Sequence, residues 1–139
     1  MENYQVVARN RIECVSASQW KVWFIEGKGL SSIAEDLELS KTYISGYISD
    51  KVSRLLLGRT GLSYIKIQKK LRKEVAIELM GQNVDPKDIY INVFKLKYKD
   101  MYGVNDFFER LFSTESGRRT LTYNEIIRNY YNRPQNFLG

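Results

Sequence analysis

From Ser16 onward, apolar residues recur three and four positions apart: Trp20, Trp23 and Phe24, then Ile33, Ala34 and Leu37, then Ile44, Ile48, Val52 and Leu55. This is the spacing of one face of an α-helix. Polar and glycine positions divide the run into three. Ser16 followed by Gln19 makes a capping box for a first helix, and Gly27 and Gly29 supply the positive-φ residues that end it. Ser31 is expected to cap a second helix burying Ile33, Ala34 and Leu37. Leu39 breaks the phase, and Ser40 caps a third helix with Ile44, Ile48, Val52 and Leu55 inward and Tyr47 at the edge. The second and third helices should meet at a tight turn around Glu38 and Leu39.

The pattern then returns. LRKEVAIELMGQN parallels KVWFIEGKG, with Gly81 and Asn83 in the places of Gly27 and Gly29. Asp85 takes the cap position, and Pro86 follows at the first helical position, where its missing N–H does no harm. Met101, Gly103 and Val104 are expected where the first copy has Ile44, Gly46 and Tyr47. Each helix pair is followed by a ten-residue twin, GRTGLSYIKI (58–67) and GRRTLTYNEI (117–126), 59 positions apart. Two conformations suit the twin. As a hairpin it has an apolar run, a Gly-bounded turn, and the alternation of Leu62, Tyr64 and the Ile65/Ile67 pair. As a helix start it has the Thr122–Glu125 capping box, with IKIQKKLRKEVAIEL and TYNEIIRNYY continuing helically.

Because Gly58 and Gly61 bound the first copy's turn, the hairpin is the expectation. The expected fold is α+β and mainly helical: two diverged winged helix-turn-helix units, 1–67 and 68–139, forming an internal pseudo-dimer with a small antiparallel β centre. Units of about 60 residues bury a poor core alone, so a shared core is expected.

The stretch SSIAEDLELSKTYISGYI, within residues 20–57, resembles the bacterial helix-turn-helix. The resemblance implies that the second helix of the pair enters the DNA major groove with its N-terminal end first. It places Ser40, Lys41, Thr42, Tyr43 and Ser45 against DNA, lets Gly46 come close, and adds Lys28 as a phosphate contact. In the second unit Lys95, Lys97, Tyr98, Lys99 and Tyr102 occupy the corresponding face. They favour phosphate attraction over base discrimination, or else form a solvated helix face. Asp100 among them is a repulsive or cytosine-reading element. Arg59, Arg118 and Arg119 would tip the wings.

Charge and composition narrow the choice. The 139-residue chain carries 22 Lys and Arg against 16 Asp and Glu, a net charge of +6, which favours a polyanionic partner. The basic excess is shared: nine against seven in 1–67, thirteen against nine in 68–139. The chain has no His, which excludes His-ligated metals, Ser–His and Cys–His nucleophiles and an imidazole base. Nicking enzymes that pair a Tyr nucleophile with a His-bound metal are excluded too. No enzymatic activity, cofactor or small-molecule substrate is therefore expected. The single Cys14 precludes an intrachain disulfide and suits a reducing, cytoplasmic compartment. MENYQVVARNRIE lacks signal-peptide character, and no apolar run approaches membrane-spanning length.

Two diverged helix-turn-helix units in one small basic chain, over roughly residues 20–126, resemble the TraN-like DNA-binding proteins of Gram-positive conjugative plasmid transfer systems, and are similar to MerR-like regulators. The resemblance implies double-stranded DNA binding near an origin of transfer, as a regulator or accessory factor beside other transfer proteins. The alternative is a protein–protein interaction module whose contact is formed by Tyr98, Tyr102, Phe107 and Phe108.

Overall fold

A computed structural model describes residues 4–112. The chain divides into two compact units, one ending at Leu71 and the other beginning at Arg72. Among the described residues there is no β-strand, so the expected α+β fold with an antiparallel β centre is not what the chain adopts.

The first unit begins with a helix the spacing did not announce, α1 (Tyr4–Glu13), which buries Ala8 and Ile12. Helix α2 (Ala17–Glu26) follows as expected, with the Ser16 hydroxyl accepting the Gln19 N–H at 3.1 Å. It ends in a left-handed Gly27, where the Lys28 N–H reaches back to the Trp23 carbonyl at 2.8 Å. Helix α3 (Leu30–Leu37) starts two residues earlier than a Ser31 cap allows: extended Gly29 is the N-cap, and no side chain caps it. Glu38, at φ 56°, turns the chain, and the Leu39 N–H bonds the Ala34 carbonyl at 2.9 Å. Helix α4 (Lys41–Tyr47) then starts from Ser40, whose hydroxyl accepts the Tyr43 N–H at 3.1 Å.

Helix α4 runs without a break through a π-helical turn (Ile48–Val52) into α5 (Ser53–Leu57). Where the hairpin was expected, Gly58 ends α5 in the left-handed region and α6 (Tyr64–Gly81) begins six residues later. The reason is periodicity. A strand would bury alternate residues, whereas Ile67 and Leu71 are buried, Tyr64 and Gln68 are half-buried, and Ile65 is 57% exposed. That is the i, i+3, i+4, i+7 face of a helix, and it persists too long for a hairpin. The second twin, with Arg118 and Arg119, lies outside the described residues. The core of this unit gathers Trp20, Phe24, Ile33, Ile44, Ile48 and Ile67, with Trp20 edge-on to Trp23 at 5.2 Å and stacked on Tyr47 at 6.4 Å.

The second unit contains the C-terminal part of α6, then α7 (Pro86–Asn92) and α8 (Met101–Leu111). Asp85 caps α7 through the Lys87 N–H at 2.9 Å, with Pro86 at the first position. Its core collects Ala76, Met80, Ile89, Phe94, Val104, Phe108 and Phe112. Phe94 stands edge-on to Phe107 at 4.9 Å and to Phe108 at 5.6 Å.

Candidate nucleic-acid interface

The outward face of α4 is where the first unit concentrates its polar chemistry. Ile44 and Ile48 are fully inward, so the opposite side presents Lys41, Thr42 and Ser45, all exposed. Gly46 lies beside them in open space, with nothing within 4 Å of where a Cβ would stand. A partner could approach the backbone closely there. Two of the expected contact residues have other work. The Ser40 hydroxyl is the helix cap, and Tyr43 is half-buried and packed against the core. Lys28 is also held within the unit: its Nζ pairs with Asp36 at 2.5 Å and lies 5.7 Å from the Trp23 ring, while its carbonyl accepts the Tyr64 hydroxyl.

Arg59 is exposed, but it sits beyond the far end of the helical run from Lys41. Sixteen residues separate Lys41 from Leu57, about 24 Å of helix at 1.5 Å per residue. The structure therefore does not bring Arg59 to the Lys41 end. Its loop is nonetheless anchored. The fully buried Ser53 donates its hydroxyl to the Arg59 carbonyl and accepts the Leu62 N–H at 3.4 Å, and the Gly61 N–H bonds the Ser49 carbonyl at 2.8 Å. Ser49 lies in the π-helical turn, where the Ser53 N–H reaches five residues back to Ile48.

Several positioning residues are invisible to spacing arguments. Arg11 donates to the Leu37 carbonyl at 3.4 Å and the Glu38 carbonyl at 3.2 Å, closing the C-terminus of α3 beside the turn, and also pairs with Glu38 at 3.4 Å. Gln68 donates to the Phe24 carbonyl at 2.8 Å, and Tyr64 to that of Lys28 at 2.5 Å, tying the start of α6 to the end of α2. The only available signal was the presence of Tyr64 within the repeated stretch. Burial, then Glu13 and Tyr43, raise the pKa of the Tyr47 hydroxyl above the usual tyrosine value.

In the second unit the expected helix face is not a helix. Lys95, Lys97, Tyr98 and Lys99 lie in the irregular segment between α7 and α8, and only Tyr102 lies on α8. The physical reason is the cap: Asp100 accepts the Gly103 N–H at 2.8 Å and starts α8 at Met101. Asp100 is thus a capping residue, the role expected neither of a repulsive nor of a cytosine-reading group. The cap also corrects the alignment of the repeats by three residues. Asp100 matches Ser40, so Val104 matches Ile44, Phe108 matches Ile48 and Phe112 matches Val52, and every member of the last three pairs is buried.

Among the aromatics offered as a protein-docking surface, Phe108 is buried and Phe107 and Tyr98 are half-buried within the unit, leaving Tyr102 at 81% exposure. No helix among the described residues is long and apolar enough to cross a membrane. No protein-family model, curated protein or solved structure matches the chain.

Proposed function

We propose that the first unit binds double-stranded DNA sequence-specifically, with the N-terminal end of α4 in the major groove. The observation that carries this reading is the Ser40-capped start of α4, which follows the left-handed Glu38 turn and presents Lys41, Thr42 and Ser45 on the side opposite buried Ile44 and Ile48. Lys41 meets a phosphate or a guanine edge, Thr42 and Ser45 read base edges, and Gly46 admits the backbone. The start of a helix carries a partial positive charge that favours phosphate. Ser40 and Tyr43 serve to place this end rather than to read.

A role as regulator or accessory factor of conjugative plasmid transfer, acting near the origin of transfer, rests on the tandem helix-turn-helix resemblance alone, since the first winged hairpin it also drew on is a helix start. The docking-module reading is weakened by the burial of Phe108 and the inward packing of Phe107. Footprinting the full chain on the intergenic DNA of its own operon, with a salt titration, tests the proposal. A protected site is expected, with log affinity falling against log salt by about 0.9 for each phosphate neutralised. Lys41→Ala should weaken binding and relax preference at one base pair, at a discrimination of about 1–3 kcal/mol. Absence of any protected site together with a flat salt response sinks the idea.

A further inference from the structure

The segment Lys95–Tyr102, which is KLKYKDMY, is left without a role by the reading of α4. It differs from the first unit's turn in length and in character. Gly29 to Ser40 spans eleven positions and Asp85 to Asp100 spans fifteen, so this segment is four residues longer between its caps. The added length carries exposed Lys97 and Lys99. On either side stand exposed apolar groups: Leu96 at 36%, Met101 at 41% and Tyr102 at 81%. A tyrosine ring this exposed on the first turn of a helix otherwise surrenders burial without return.

The segment is held in place rather than trailing. The Leu96 N–H bonds the Tyr90 carbonyl at 3.2 Å, the Tyr98 ring packs on the core beneath Lys87, whose Nζ lies 4.2 Å from its centre, and the Asp100 carboxylate is bonded to Gly103. Exposed lysines three and five residues before an exposed ring, on an anchored segment, meet the two requirements of single-strand recognition: cations for the phosphates and an aromatic face on which a base stacks. A duplex hides its base faces, and lysines alone would satisfy its backbone.

We infer that the second unit carries a sequence-tolerant platform for single-stranded nucleic acid, in which Tyr102 stacks a base and Lys97 and Lys99 hold the adjoining phosphates. This platform is separate from the duplex-reading face of α4 and stands whether or not that reading holds. Fluorescence anisotropy of the full chain with a labelled oligo-dT of fifteen nucleotides tests it, against a hairpin duplex of random sequence. Binding to oligo-dT is expected, weakened about tenfold by Tyr102→Ala and restored by Tyr102→Phe, which keeps the ring. The double variant Lys97→Ala/Lys99→Ala should reduce the salt slope by about 1.4, the value for two single-strand phosphates. The inference is overturned if Tyr102→Ala binds oligo-dT as the wild type does while its thermal melt is unaltered, or if Tyr102→Phe is as weak as Tyr102→Ala.

Discussion

The two units repeat the same capping logic and part company at one position. In both, a helix ends with a left-handed residue, Gly27 or Asn83, whose successor reaches five residues back, to Trp23 or Leu79. Two residues later comes the next cap, Gly29 or Asp85, and four beyond it a fully inward isoleucine, Ile33 or Ile89. The residue after that isoleucine differs: Ala34 is small and buried, whereas Tyr90 is large and stands edge-on to Phe107 at 5.4 Å. Two helices meet closely only across a small side chain. The first unit turns tightly at Glu38, and the second takes four more residues to reach its cap. Those residues replace a compact turn with a segment that carries exposed Lys97 and Lys99.

The sharpest way to break this comparison is to empty matched core positions. Ile44→Ala should cost about 2–5 kcal/mol and Phe108→Ala about 3–5 kcal/mol, read from denaturant midpoints. Were Phe108→Ala neutral, the pairing of α8 with α4 would be wrong. The next test addresses the divergence itself. Ala34→Tyr forces a ring into the tight turn and should destabilise the chain by about 1–3 kcal/mol, with loss of duplex binding in the same anisotropy assay. Retention of both would remove Ala34 as the cause of the short turn.

Caps supply a smaller and more symmetrical test. Ser40→Ala and Asp100→Ala should each cost about 1 kcal/mol, and a twofold-larger loss from one alone would mean that the two helix starts are not equivalent. The smallest effect is one of pH. Because the folded chain holds the Tyr47 proton above the usual tyrosine value, that contribution is complete below the unfolded value and is lost as pH rises through the folded one. Phe107 stands at the matching place, seven residues past its cap, and does not titrate. Tyr47→Phe should consequently flatten the fall of stability at alkaline pH, measured by denaturation at a series of pH values, while the wild type declines.

Much of the first unit was legible because its signals are local. The capping of Gln19 by Ser16, the turn at Glu38 and the Ser40 cap each depend on residues within four positions of one another, and all were met in the structure. The second unit was misregistered because Gly103 was matched to Gly46 by type. Gly103 instead provides the N–H that Asp100 caps, a role that depends on where the helix starts. The hairpin failed for a related reason: over Leu62–Ile67 alternation and helical spacing look alike, and only the continuation to Leu71 and Ala76 separates them.

The amino-acid sequence alone determined the Ser16, Ser40 and Asp85 caps, the turn at Glu38 and the inward placing of Trp20, Phe24, Ile33, Ala34, Ile44, Ile48 and Val52, since these follow from backbone preferences and periodicity over a few residues; the Ser31 cap and an inward Leu55, which is 60% exposed, did not hold. Tertiary structure decided which candidate side chains are offered to a partner. Lys28 is drawn to Asp36, Tyr43 to the core and Arg59 to the distant end of the helical run, while Arg11 and Ser53 act on backbone 26 and six residues away. Side-chain partners of that kind depend on how the helices pack within the unit, and spacing along the chain does not record it.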